Sequence, residues 1–332
     1  MSTSEFELIQ RCFKGHGLSF AREGVELGIG DDAALIRPAP GSVVALSLDT
    51  LVAGVHFPRD AAPELVANRA LAVNLSDLAA MAAQPLCFTL GLTLPESDEE
   101  WVNAFARGLE PLAREFDCPL VGGDTTRGPL AVTIQVHGSV KAEAALRRSG
   151  AKAGDLLCVT GELGDGAAAL LALGETSHLG SDFVFAREPS VEERGLLLER
   201  FYRPRPRVAF ALRCAAYLSA GLDLSDGLAG DVNHLLQASG VGATLRLDAL
   251  PYSRTLERLL RPEMRERAAL SGGDDYELCF TVAPGRVESV RSVAAELGLR
   301  VTAVGEIETE PGLRAERAGL PVDLNGGGYR HF

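Results

Sequence analysis

Apolar and polar positions along this chain switch between short strand-like runs and longer helical ones. Val43–Leu48 reads as a buried strand, Leu86–Leu94 as another, and Ala131–Val140 as a third with alternating character. Pro63 suits the first turn of a long helical pattern that continues to about Ala83. The polar stretch Asn74-Leu75-Ser76-Asp77 interrupts its middle, which allows two helices in place of one. Glu99–Phe116 is predicted as a helix, and Ser4-x-x-Glu7 as a capping box opening a short amphipathic helix with Leu8, Ile9 and Phe13 on one face.

Residues 141–155 turn polar, and the domain boundary is placed there: an N-terminal domain over 1–150 and a C-terminal domain over 151–332. Beyond it the pattern predicts strands at 156–160, 222–224, 243–247, 277–283 and 300–307. Helices are predicted at 167–173, 208–219, 228–238 and 286–297, and the prolines of Tyr202-Arg-Pro-Arg-Pro-Arg207 rule out a continuous helix there. The class is α/β (α+β).

With 332 residues, 46% hydrophobic and 23% charged, the chain is an ordinary globular protein large enough for two domains. The formal net charge of −13 argues against a nucleic-acid surface and implies that any phosphorylated ligand needs intervening cations. Cys12, Cys87, Cys118, Cys158, Cys214 and Cys279 are scattered among apolar neighbours, as expected of reduced, buried thiols. Met1–Gln10 has no charged-then-apolar signal pattern, and no apolar run reaches bilayer length. A cytoplasmic protein without a membrane partner is expected.

The chemistry is carried by acidic motifs among small residues: Gly-Ile-Gly-Asp-Asp (28–32), Ser-Leu-Asp-Thr (47–50), Asn-Leu-Ser-Asp (74–77), Gly-Gly-Asp-Thr (122–125), Asp-Leu-Ser-Asp-Gly (223–227) and Gly-Gly-Asp-Asp (272–275). Helix capping by Asp77 or Asp226, or a glycine turn at Asp32 or Asp124, explains any one of them as well as a ligand role does. Together they favour a magnesium site, because hard oxygen ligands suit Mg²⁺ and several fall where a predicted strand hands over to a turn. No P-loop and no protein-kinase motif set is present. Gly161-x-x-Gly164-x-Gly166 could offer N–H groups to a phosphate, although a tight strand-to-helix turn explains it better. Arg147-Arg148-Ser149-Gly150 is equally readable as a phosphate-binding fork or a solvated linker.

Read together, Gly-Ile-Gly-Asp-Asp-Ala-Ala, Asp49-Thr-Leu-Val-Ala-Gly-Val-His56, Asn-Leu-Ser-Asp77-Leu-Ala-Ala-Met and Gly-Gly-Asp124-Thr-Thr-Arg-Gly resemble the thiamine-monophosphate kinase family. The likeness continues through Arg-Ser-Gly-Ala-Lys, Asp-Leu-Ser-Asp226-Gly-Leu, Ser-Gly-Gly-Asp-Asp-Tyr-Glu-Leu and Gly-Tyr-Arg-His-Phe, in order from Glu5 to Phe332. It implies ATP-dependent conversion of thiamine monophosphate to thiamine diphosphate. It also implies an aminoimidazole ribonucleotide synthetase-like fold, a homodimer formed through the N-terminal sheet, and several Mg²⁺ ions.

Carried over by motif, Asp32, Ser47, Leu48 (through its backbone), Asp49, Asp77, Asp124, Asp223 and Asp226 would be metal ligands. Gly123, Asp124, Arg148 and Ser225 would contact ATP, and His56 and Asp274 the substrate. Asp49, Asp77, Asp124 and Arg148 would form the catalytic set. Asp274 stands where relatives commonly carry Glu. Gly326-Gly327-Gly328 replaces a tryptophan found in some relatives, leaving Tyr329 as the candidate ring contact.

The alternatives are another ATP-dependent enzyme of the same superfamily or a catalytically silent nucleotide-binding regulator. Cys12 lacks the setting of a selenophosphate synthetase nucleophile. The terminal His331-Phe332 is unlike the cysteine-bearing tail of the hydrogenase-maturation relative.

Overall fold

The computed structural model describes residues 9–14, 17–175 and 179–324. The Ser4–Glu7 capping box, Leu8 and Tyr329 lie outside them; Ile9–Lys14 forms a single π-helical turn, not an amphipathic α-helix. The backbone divides into two compact units, Met1–Leu78 with Ala83–Glu143, and Ala79–Ala82 with Ala144–Phe332.

The first unit opens with a small antiparallel ribbon, β1 (Val25–Leu27) and β2 (Leu35–Ile36). Then come β3 (Val43–Val52), α1 (Pro63–Ala80), β4 (Gln84–Leu94), α2 (Glu99–Glu115), β5 (Leu120–Arg127) and β6 (Ala131–Val140). Its four-stranded sheet has the order β3-β6-β4-β5, with β4 and β5 parallel and the other pairs antiparallel. Asp98 caps α2 by accepting the Trp101 N–H at 3.0 Å. Val102, Phe105, Leu109 and Leu112 form the buried stripe of that helix, at the spacing of one helical face. Leu71, Leu75 and Leu78 do the same for α1, each burial contributing about 1.5–3 kcal/mol.

Two expectations need correcting here. The Asn74–Asp77 stretch does not break α1, which is continuous from Pro63 to Ala80. Asn74 and Ser76 are buried, so the polar stretch reports what the helix faces and not where it ends. Nor is β3 a buried strand ending before Asp49. It runs ten residues, places Ser47, Leu48 and Asp49 in its interior, and leaves Val44, Leu46 and Leu48, which share one face, at 36%, 59% and 54% exposure. Such an uncovered apolar strand face is unusual for a single chain.

The second unit holds β7 (Leu156–Thr160), α3 (Asp165–Leu173), α4 (Val191–Tyr202), α5 (Val208–Cys214), β8 (Leu218–Asp223), α6 (Leu228–Ser239) and β9 (Gly242–Arg246). These are followed by α7 (Arg254–Leu259), α8 (Pro262–Ser271), β10 (Leu278–Val282), α9 (Val287–Glu296), β11 (Val301–Glu308), β12 (Gly312–Arg317) and β13 (Leu320–Val322). The sheet order is β13-β12-β9-β11-β7-β10-β8. Strand β10, paired on both sides, is buried at every position, which is why it reads as a continuous apolar run.

The helix predicted over 208–219 stops at Cys214 and passes through a 3₁₀ turn into β8, which starts four residues before the predicted strand. Helices α4, α7 and α8 were not predicted, although α4 carries a complete capping box between Ser190 and Glu193. All six cysteines are buried and free.

Candidate active site

In the first unit the acidic motifs gather at two places. Ser47 and Asp49 are two apart on β3 and share the face turned toward α1. Asn74 and Asp77 are three apart on α1 and share one helical face. The elements therefore meet through these side chains: the Ser47 hydroxyl donates to Asp77 Oδ2 at 2.6 Å, and the Asp49 N–H donates to Asn74 Oδ1 at 3.1 Å. Asn74 is itself oriented by donating its Nδ2 to the Ala70 carbonyl at 2.8 Å. Asp77 is thus not a helix cap.

Burial, then the charge of Asp77 and a hydrogen bond with it, push the Asp49 carboxyl up to about 6. Two carboxylates this close share a proton unless a cation replaces it. Leu48 projects its side chain to the opposite, exposed face. Because the Asp49 N–H leaves the ladder, alternation turns the Leu48 carbonyl toward its partner Gln135 on β6.

The second place is a cleft of about 630 Å³ lined by Asp31, Asp32, Thr89, Gly123 and Asp124 among others. Its wall is set by packing: Val25, Ala34 and Ile36 of the β1–β2 ribbon lie against Leu86, Cys87 and Val121 at the roots of β4 and β5. The Gly28–Asp32 segment between β1 and β2 is thereby carried to the cleft. Asp124, expected in a glycine turn, lies on β5. Gly123 precedes it with φ of 154°, and a Cβ there would come within 2.0 Å of the Leu90 carbonyl, so only glycine allows this approach of β5 to β4. Asp49, Ile134, Leu90 and Gly123 stand in one row across the sheet.

His56 follows β3 in a tight loop, where its Nδ1 accepts the Val52 N–H at 3.0 Å and its own N–H donates to the Val52 carbonyl at 2.9 Å. With Nδ1 accepting, the neutral ring carries its proton on Nε2.

In the second unit the motifs are arranged around two strapped turns. Asp223 ends β8, buried, and the Leu224–Gly227 turn leads into α6. The N-cap position of α6 is Gly227, one residue beyond Asp226. Asp231, one turn into α6, accepts the N–H groups of Ser225 and Asp226 at 3.0 Å, and burial pushes its carboxyl up to about 7. Asp274 and Tyr276 both have positive φ, 61° and 48°, a strained setting for a non-glycine pair. Their N–H groups donate to Ser225 and Leu224 at 2.9 and 2.8 Å.

Asp275 settles the glycine loop at 161–166. Its buried carboxylate accepts Gly164 N–H at 2.9 Å and Gly166 N–H at 3.4 Å, so an internal carboxylate occupies the place an external phosphate would need. Arg148, exposed in the loop after the first unit, lies close enough to Asp231 for its charge to be felt there.

Asn74 and Asp275 lie within the motifs 74–77 and 272–275 but were given no role there, and Asp231 lies outside every motif. Asn74 shows a helical spacing to Asp77 and Asp275 adjoins Asp274, whereas Asp231 carries no local signal. Among the described residues no group of three or more acidic, histidine or cysteine side chains is placed to hold a metal ion by itself, and no helix is long and apolar enough to cross a membrane.

These acid-lined sites stand in a chain of two α/β units, and its class follows: residues 30–140 match the model for the AIR synthase related protein N-terminal domain, and 152–317 the corresponding C-terminal domain. The thiamine-monophosphate kinase of Salmonella typhimurium is 44% identical over 333 residues, covering 100% of this chain and 99% of the relative. The crystal structure of thiamine-monophosphate kinase from Stenotrophomonas maltophilia K279a matches with a TM-score of 0.83 at 41% identity, covering 97% of this chain and 99% of that one. A structure described as AaThiL complexed with AMPPCP and TMP matches at TM-score 0.75 and 29% identity, covering 99% and 97%. The chain belongs to the thiamine-monophosphate kinase family.

Proposed function

We infer that this protein phosphorylates thiamine monophosphate to thiamine diphosphate at the expense of ATP. The observation that carries the reading is the Ser47–Asp49–Asp77 cluster beside the cleft at Asp32 and Asp124, in a chain that matches thiamine-monophosphate kinases over its full length. The complex with AMPPCP, an ATP analogue, and TMP supports the same pair of ligands here.

Mg²⁺ uses few protein carboxylates and completes its shell with water and phosphate oxygens. The donor set fits that habit. Asp49, Asp77 and Ser47 offer hard oxygens at hydrogen-bonding separations, and Asp32 and Asp124 offer two more in the cleft. We assign these five, with Asp223 and Asp226 in the second unit, as the Mg²⁺ ligands; Leu48, whose carbonyl faces Gln135 in the β3–β6 ladder, is left outside the set. When bound, the ions would supply positive charge between donor and acceptor phosphates, whose repulsion amounts to about 4 kcal/mol per pair of unit charges 4 Å apart at an effective dielectric of about 20.

The attacking atom is a phosphate oxygen already ionised near neutral pH, so no side chain has to remove a proton. The chain's task is positioning. Gly123 lets the backbone of β5 close on the ATP phosphates, Arg148 holds them through its planar fork, and Ser225 adds a hydroxyl. His56 and Asp274 orient the acceptor. The N-terminal domain, over 1–150, is assigned the metal and nucleotide work and dimerisation, the C-terminal domain, over 151–332, the remaining contacts. The exposed β3 face of Val44, Leu46 and Leu48 supports a homodimer. A cytoplasmic location goes with this chemistry.

The test is incubation of purified protein with ATP, Mg²⁺ and thiamine monophosphate, following ADP and thiamine diphosphate by chromatography. Equal formation of both, abolished by EDTA, is expected. ADP without thiamine diphosphate would move the acceptor elsewhere in the superfamily, and Mg²⁺-dependent ATP binding without turnover would favour a silent regulator.

A further inference from the structure

We propose that Ser239 is the positioning residue for Arg148, holding the Arg147–Ala151 loop so that the guanidinium is presented to the ATP phosphates. The proposal rests on the assignment of Arg148 to ATP made above.

A serine hydroxyl has one hydrogen to donate and two lone pairs to accept with. Ser239 spends all three on one short loop: it donates to the Arg148 carbonyl at 2.9 Å and accepts the N–H groups of Gly150 at 3.1 Å and Ala151 at 3.2 Å. These groups are about ninety residues away in sequence, so the contact is not local capping.

Nor does the helix need this hydroxyl for its own end. Gly240, with φ of 68°, turns α6 off by donating to the Leu236 and Gln237 carbonyls, and the Val241 N–H returns to Leu236 at 3.1 Å. That is a complete Schellman termination without Ser239.

The loop is held from its other side too. The Gly221 N–H of β8 donates to the Arg147 carbonyl at 2.9 Å. Gly150 has φ of 123°, and a Cβ there would lie 2.4 Å from the Ser219 carbonyl, so the chain reverses tightly against β8. Arg148 is therefore gripped between β8 and the last residue of α6. The first turn of the same helix carries Asp231, which holds the N–H groups of Ser225 and Asp226. One rigid helix thus sets the spacing between Arg148 at one end and Ser225 at the other, both assigned to ATP. A point charge on a loose loop would lose binding energy to ordering; a pre-formed loop does not.

The experiment compares full-length wild type with Ser239→Ala, Ser239→Thr, Arg148→Ala and the Ser239→Ala/Arg148→Ala double variant. Steady-state KM for ATP and for thiamine monophosphate is read alongside calorimetric affinity for Mg·ATP and the thermal midpoint. For Ser239→Ala the expected result is an approximately three- to tenfold weakening toward ATP, the size of one or two lost hydrogen bonds, with the KM for thiamine monophosphate within about twofold. Thr, which keeps the hydroxyl, should restore most of it. The double variant should be no weaker than Arg148→Ala alone, because Ser239 acts through that residue.

Additive losses in the double variant, unchanged ATP affinity in Ser239→Ala, or equal rises in both KM values with a lowered midpoint would overturn the proposal. Unchanged ATP affinity in Arg148→Ala overturns it together with the Arg148 assignment. Wild type that binds Mg·ATP but makes no thiamine diphosphate removes the proposed activity, and the calorimetric comparison still decides the role of Ser239.

Discussion

The backbone N–H of Asp274 donates to the carbonyl of Ser225 at 2.9 Å, joining the turn after β8 to the turn before β10. The residue assigned to the acceptor and the one assigned to ATP are thus neighbours on a single hydrogen-bonded strap. Two further bonds, Tyr276 N–H to the Leu224 carbonyl and Leu224 N–H to the Glu277 carbonyl, both 2.8 Å, continue it. A transfer between two phosphates needs its two binding halves in fixed register, and short backbone bonds supply that without side-chain freedom.

Replacing Asp274 with Ala should therefore raise the KM for thiamine monophosphate by about tenfold or more, while the KM for ATP stays within about twofold. Its φ of 61° is one that Asp and Asn tolerate, so Asp274→Asn should fold as well as wild type while still weakening acceptor binding. Steady-state kinetics with each substrate varied decides it; a change confined to ATP would move Asp274 to the nucleotide side.

Asp77→Asn should reduce kcat by about 100-fold or more at saturating Mg²⁺, since it removes a proposed metal ligand that Ser47 also orients. In EDTA the same variant should melt at or above the wild-type temperature. It relieves the pressure that, with burial, pushes Asp49 up to about 6. Turnover retained at high Mg²⁺ would take Asp77 out of the ligand set.

The pairing of Arg187 with Glu193 provides a pH-dependent stability that does not involve the site. The guanidinium of Arg187 and the Ser190 N–H hold the Glu193 carboxyl down at about 2. A depressed carboxyl stabilises the fold fully above its ordinary range, near 4.5, and that contribution is lost as pH falls toward 2. Melting curves should show wild type above Glu193→Gln from neutral pH down to about pH 5, with the gap closing below it. A gap that persists unchanged at pH 2 would contradict this linkage.

Leu46→Asp should convert the proposed homodimer to monomer, with a loss of about 100-fold in dimer affinity or more, because a two-fold interface repeats the substitution in both copies. Leu46 is 59% exposed on the β3 face, so the variant should fold normally. Analytical ultracentrifugation across a protein dilution series reads the change. A wild type that is monomeric throughout would place the exposed face to another use.

Much of the fold was legible because its signals are local. The period-two run at Ala131–Val140, the apolar run of β10 and the helical stripe of α2 are each set by neighbours within one element. Where local polarity and tertiary contact disagreed, the sequence misled. Asn74 and Ser76 look like a helix break because polar residues usually seek water; here a partner strand meets Asn74, and α1 runs on. The capping box between Ser190 and Glu193 is equally local and marks the start of α4.

The sequence by itself determined the α/β class, the acidic motifs in their order, and the electrostatic need for cations in a chain of net charge −13 that handles phosphates. Only the tertiary structure decided which of those groups meet. Ser47 reaches Asp77 across thirty residues, Asp275 fills the glycine loop across 111, and Ser239 grips the Arg148 loop across 91. The physical reason is that periodicity records which side of an element is buried, whereas hydrogen-bond partnership depends on the register of distant elements. That register is settled by the packing of the whole core, and no single stretch of chain contains it.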